Sequence, residues 1–178
     1  AQMFIMSKAD SAVEYTESEL SVISTWMAEG EKALWVAADS DFGDDQRRQP
    51  TANDVLEAVN SKLRIESCSA EDPNSNAGAP YRVYGVSENV DEDIAFLTYG
   101  VDTALFHGPG IIVGMVDGEY RSLDEVPWTF VVMTTTDSGI VVNNNPPDAE
   151  VHGIGEEGNF PLLALELVDD SSNIIIAS

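Results

Sequence analysis

Apolar positions follow two different periods along this chain, and the change falls near Cys68. Residues 16–30, TESELSVISTWMAEG, place Leu20, Ile23 and Met27 on one helical face with Val22 and Trp26 beside it. Thr16 and Glu19 stand ahead of that face at capping-box spacing, and Gly30 follows as a C′ residue, so a helix is predicted between them. An apolar strand precedes it in AQMFIMS. Another follows in KALWVAA, whose unbroken apolar run is of the kind buried on both faces of a parallel sheet. A second helix is predicted from Pro50 and Thr51, with Val55, Leu56, Val59 and Leu63 at helical spacing, and RIESC reads as a third strand. Strand, helix, strand, helix, strand in this order predicts a doubly wound, mostly parallel α/β unit.

After Cys68 the period shortens. Residues 69–80 form a polar, turn-rich loop, and then YRVYGV, TALFHG, GIIVGMV, WTFVVMTT, PLLALELV and NIIIAS read as β segments. Asp117-Gly118 is a hairpin signal, because the pair accepts the positive φ of a two-residue turn. NNNPPD, residues 143–148, reads as an exposed rigid loop. With no internal repeat or low-complexity linker, the expectation is one domain over residues 1–178, α/β in its first third and carrying a β-rich C-terminal elaboration.

Charge changes the picture more than size does. Thirty-two Asp and Glu against eight Lys and Arg give a formal net charge of −24. Such a field repels phosphate backbones and anionic lipid surfaces, so neither nucleic acid nor a membrane surface is an expected partner. It favours cations and solubility in concentrated salt. No run of about 18 apolar residues is present to cross a bilayer, and no signal-peptide pattern opens the sequence. Because strands stand at both ends, the chain is expected to be a piece of something longer. One cysteine excludes an internal disulfide.

Candidate chemistry gathers at a few places. In DSDFGDD the carboxylates of Asp39, Asp41, Asp44 and Asp45 follow a strand, where α/β sheets bind ligands. A phosphatase-like reading makes Asp39 the nucleophile and Asp41 the acid/base with Mg²⁺, but Gly43 stands where that motif has Thr or Val. An EF-hand is excluded, since Pro50 holds its twelfth position and the glycine comes one residue early. What remains is a weak, irregular Ca²⁺ or Mg²⁺ site on these four aspartates, with no cofactor required, or a solvated turn. His107, Gly108 and Gly110, in LFHGPGI, present a histidine beside a tight turn able to touch a ligand or simply to hold that turn. Cys68 has acidic neighbours, which disfavour a thiolate, and His152 with Glu156 is too sparse for a metal. Tyr81, Tyr84, Tyr99, Tyr120, Trp128 and Phe160 suit either a carbohydrate-like groove or core and cross-strand pairs.

Three stretches, YTESELSVISTWMAEGEKALWVAADSDFGDD, FLTYGVDTALFHGPG and GNFPLLALELVDDSSNIIIAS, resemble the glutamine-amidotransferase-like GIFT domains. These occur in intraflagellar-transport proteins, gliding-motility transporter auxiliaries and archaeal surface or secreted proteins. The resemblance implies a flavodoxin-like core that lacks the amidotransferase triad and serves in binding or assembly. Cys68 agrees: ESCSA lacks the glycines that a nucleophile elbow requires. The expected function is therefore a non-catalytic domain of an extracellular or cell-surface protein, binding protein, itself or carbohydrate. The alternative is a metal-assisted hydrolase acting through Asp39 and Asp41.

Overall fold

The computed structural model describes residues 1–6, 13–40, 48–146, 151–168 and 171–178. Its opening follows the sequence. Strand β1 (Gln2–Met6), helix α1 (Glu17–Ala28) and strand β2 (Ala33–Ala37) form a parallel β-α-β unit. The capping box closes both ways: Thr16 Oγ1 accepts the Glu19 N–H at 3.3 Å, and Glu19 Oε2 accepts the Thr16 N–H at 2.8 Å. Ile23 and Met27 bury the inner face of α1 against Leu34 and Val36.

The doubly wound expectation fails at the next strand. Helix α2 (Gln49–Ala58) follows, but β3 (Leu63–Glu66) does not return to the first sheet. Both edges of β2 are taken, one by β1 and the other, in parallel, by the strand that comes last in sequence. Strand β3 instead pairs antiparallel with β7 (Ile111–Val116), and β7 with β8 (Glu119–Arg121). The other edge of β3 is finished by a side chain: Asn53 Nδ2 donates to the Ile65 carbonyl and its Oδ1 accepts the Ile65 N–H, both at 2.8 Å. An amide thus satisfies the two backbone groups that a neighbouring strand would have paired.

Beyond β3 come β4 (Cys68–Glu71), β5 (Arg82–Val86), a 3₁₀ segment (Glu92–Thr98), β6 (Thr103–His107), then β7 and β8, a short 3₁₀ turn (Leu123–Glu125), β9 (Thr129–Thr134), β10 (Ile140–Asn144), β11 (Pro161–Val168) and β12 (Asn173–Ala177). The large sheet runs β1-β2-β12-β11-β9-β5-β6, and β4 and β10 form a separate ribbon. Only the β1–β2 and β2–β12 pairs are parallel; β12–β11, β11–β9, β9–β5 and β5–β6 are antiparallel. The described residues are β-rich, 41% strand against 20% helix, with a mixed, curled seven-stranded sheet, so the flavodoxin-like fold is corrected. The late β segments are not an elaboration on a finished core. They supply five of the seven strands of the main sheet.

Smaller corrections follow from the same cause. RIESC is two strands, with Ser67 between them, because its halves pair with different partners, β7 and β10. The KALWVAA strand buries one face only: Leu34 and Val36 are inaccessible whereas Trp35 is 40% exposed. Asn143 and Asn144 belong to β10 rather than to a loop, while Pro147 and Asp148 lie outside the described residues. The hairpin signal holds, with φ of 54° at Asp117 and 83° at Gly118 between β7 and β8.

Burial divides into three clusters. The first joins α1, α2, β2, β3 and β12; the second holds Cys68, Val83, Ile111, Val141 and Leu162; the third lies under the long 3₁₀ segment around Ile94, Val132 and Leu165. Against these stands the repulsion of 24 net negative charges. Raising KCl from about 0.1 M to about 1 M shortens the Debye length from about 10 Å to about 3 Å, so the thermal midpoint should rise. A scanning-calorimetry midpoint that stays level or falls would refute this.

Candidate functional site

The two stretches singled out in the sequence, Asp39 and the His107–Gly110 turn, meet in space. Asp39 lies just past the end of β2 and makes an isolated antiparallel bridge to Pro109, in the turn between β6 and β7. The Pro109 carbonyl accepts the Ala70 N–H of β4 at 2.9 Å, and the Gly108 N–H donates to the Tyr81 carbonyl at 2.7 Å. Three separate sheets are thereby tied at one point.

Glycine is required at the turn for two reasons. Gly108 has φ of 55°, in the left-handed region, and a Cβ there would lie 2.5 Å from Asp39 Oδ1 and 3.0 Å from Ser40 Oγ. At Gly110 φ is unremarkable, but a Cβ would lie 2.8 Å from Ile65 Cγ2 and 3.1 Å from the Glu66 carbonyl. Gly108 thus lets backbone approach the carboxylate, and Gly110 lets β7 start flush against β3.

Around this junction a cleft of about 570 Å³ opens. Asp39, Ser40 and Arg48 form one wall, Tyr81, His107 and Gly108 another, and the β4–β10 ribbon, through Ala70, Glu71 and Asn143, a third. Arg48 Nη1 donates to Asp39 Oδ2 at 3.0 Å, and the Ser40 N–H donates to Asp39 Oδ1 at 2.8 Å, so both carboxylate oxygens have protein partners. Tyr81 and His107 meet edge to face with centroids 5.4 Å apart, and the Arg82 guanidinium lies 5.4 Å from the Tyr81 ring. Close by, fully buried Gln49 donates from Nε2 to the Cys68 carbonyl at 3.1 Å.

Of the aspartates considered for a cation, Asp39 lines the cleft; Asp41, Asp44 and Asp45 lie outside the described residues. Among the described residues no group of three or more His, Cys, Asp or Glu side chains is placed to hold a metal ion. His107 and Gly108 line the cleft, whereas Gly110 is buried behind it. Cys68 is fully buried in the second cluster. The six aromatics do not share one groove: Tyr81 lines the cleft, Phe160 is buried, and Tyr99 stands 93% exposed after the long 3₁₀ segment. Sequence reasoning missed Arg48, Ser40 and Asn143. Arg48 had a signal, being one of eight basic residues and standing nine positions from Asp39.

No family model and no curated protein matches the chain. A solved structure does. Described as the mmIFT52 N-terminal domain, it aligns with a TM-score of 0.60 at 13% identity, over 98% of this chain and 64% of that one. The chain thus spans less than two thirds of its structural neighbour, and at this identity the likeness concerns fold alone. The expected GIFT-type, amidotransferase-like domain is corrected: no family model supports it, and the curled, β-rich sheet is not the flavodoxin-like core it implied.

Proposed function

We propose that this chain is a non-catalytic binding domain, working in an extracellular or cell-surface assembly, and that it takes a segment of a partner protein in the cleft between Asp39, Tyr81, His107 and Asn143. The observation that carries the reading is the junction itself. Three sheets are pinned together by the Asp39–Pro109 bridge and the Ala70-to-Pro109 hydrogen bond, which leaves a preformed open cleft with aromatic and polar groups on its walls. Both nucleophiles that the sequence offered are committed elsewhere: Cys68 to the core, and Asp39 to Arg48 and the Ser40 N–H. A Mg²⁺ ion acting with Asp39 would have to share its carboxylate with the Arg48 guanidinium.

A random peptide library displayed on phage and selected on the immobilised chain tests this. Selected peptides should bind with dissociation constants on the order of 10 to 100 µM, and Tyr81→Ala/His107→Ala should weaken them at least about tenfold, the loss of about 1.4 kcal/mol. Peptides that bind the double variant unchanged would remove the cleft from the proposal. Hydrolysis of p-nitrophenyl phosphate abolished by Asp39→Asn would overturn the non-catalytic reading.

A further inference from the structure

The large sheet buries one face under α1 and α2, and its other face is only partly covered. Register places one large apolar side chain on each of five neighbouring strands in a single row across that second face: Phe4 opposite Trp35, Trp35 opposite Ile176, Ile176 opposite Leu165 and Leu165 opposite Phe130. The long 3₁₀ segment covers one end, where Ile94 packs with Leu165 and Phe130. At the other end Phe4 and Trp35, edge to face at 5.3 Å, are 56% and 40% exposed, and Met6, two positions along the same face from Phe4, is 68% exposed. Apolar side chains so exposed and contiguous mark an interaction surface.

Dimensions and charge describe the occupant. The open part of the face is carried by β1 and β2 and reaches the partly buried Ile176 of β12, each of these strands having five residues. At strand spacings of about 4.8 Å and rises of about 3.3 Å per residue, they make a patch about 10 Å wide and 16 Å long. One α-helix of about 11 residues has that footprint. Exposed carboxylates stand in the adjoining segments: Glu29 and Glu31 precede β2, and Asp91, Glu92 and Asp93 open the 3₁₀ segment. Among the described residues the adjacent base, Lys32, is paired with Glu29 at 3.1 Å, and no Lys or Arg occurs between Arg82 and Arg121. A second copy of this chain would bring a further net charge of −24 to these carboxylates; a basic partner is attracted to them.

We propose that the open face of β1, β2 and β12 docks one amphipathic helix of a partner protein, apolar on its inner side and rich in lysine or arginine along its borders. This surface is separate from the Asp39–His107 cleft and stands on different residues.

Two synthetic 14-residue helical peptides test it, one with leucine on one face and lysine on the other, the second with glutamate in place of lysine. By calorimetric titration at about 0.15 M salt, the lysine peptide should bind with a dissociation constant on the order of 10 µM and the glutamate peptide at least about tenfold more weakly. Phe4→Lys should cut binding of the lysine peptide at least about tenfold, and Tyr81→Ala/His107→Ala should leave it unchanged. If Phe4→Lys does not fold by circular dichroism, Met6→Lys takes its place. Equal binding of the two peptides, or binding of the lysine peptide indifferent to the face variant, would overturn the proposal. So would a sedimentation-equilibrium dimer of this chain that the face variant dissociates, since the face would then be filled by a second copy.

Discussion

Replacing Glu66 with alanine is expected to lower the stability of this protein by about 4 kcal/mol, because it removes the acceptor of three donors at once. Glu66 is fully buried, and its carboxylate accepts the N–H groups of Val151 and His152 at 2.8 and 3.0 Å. His152 Nδ1 lies 2.6 Å from its other oxygen, and the imidazole packs edge to face on Phe160 at 5.3 Å. One side chain at the end of β3 thus holds the segment leading into β11. For a chain of this length about 4 kcal/mol corresponds to roughly 12 °C in thermal midpoint. Glu66→Gln, which keeps an acceptor, should recover a substantial part of it. A Glu66→Ala midpoint within about 3 °C of wild type, a change under about 1 kcal/mol, would show that water satisfies the stranded donors and that the clamp is dispensable.

Asp72→Ala should cost about 3 kcal/mol near neutral pH, and its cost should depend on acidity. Asp72 closes its own turn by accepting the Asn74 and Ser75 N–H groups at 3.0 and 2.8 Å. It also reaches across to accept the Thr136 N–H at 2.9 Å and the Thr136 and Ser138 hydroxyls at 2.7 Å. Burial by itself pushes this carboxyl up. The hydrogen bonds from the Thr136 and Ser138 side chains and from the Ser75 and Thr136 backbone outweigh burial and hold it below the ordinary carboxylate range. A depressed native value means that the ionised form stabilises the fold. That contribution is complete above the unfolded-state value of about 3.9 and is lost as pH falls through the lower native one. Urea titrations of wild type and Asp72→Asn should therefore differ by a constant amount between about pH 5 and pH 7 and converge below about pH 4. A difference that does not shrink in acid would sink this assignment.

What could be read in advance was local. The Thr16–Glu19 box, the Asp117-Gly118 turn and the apolar face of α1 are fixed by residues within a few positions of one another, and each is where its spacing placed it. Strand order was not legible, because alternation says which face of a strand is buried and nothing about which strand lies beside it. Asn53 shows the difficulty. Inside an apolar helix pattern it looked incidental, yet it finishes the edge of β3 and so helps keep that strand out of the main sheet. Strand β10 was hidden by the asparagines and prolines that follow it, and the long 3₁₀ segment by the absence of a helical period. The site was legible in pieces. Asp39 and the His107–Gly108 turn were both singled out, but as unrelated features, since only the fold brings them within bonding distance. Glu66 and Asp72, which carry the two largest expected effects, gave no signal, because a carboxylate in a sequence looks the same whether it faces water or five donors.

The place of β12 bears on how the molecule comes to be folded at all. Two of its neighbours, β2 and β11, flank it on either side, and the Lys32 N–H to Asn173 Oδ1 bond spans 141 positions. As the ribosome extends the chain, the first β-α-β unit emerges early but lacks the strand that joins it to the rest of the sheet until residue 177 has been added. Its unfilled edge stays open during that interval, available to chaperones or to wrong partners. Closing so long a loop to place one short strand is slow, and refolding in a stopped-flow instrument belongs in the millisecond-to-second range of high-contact-order proteins.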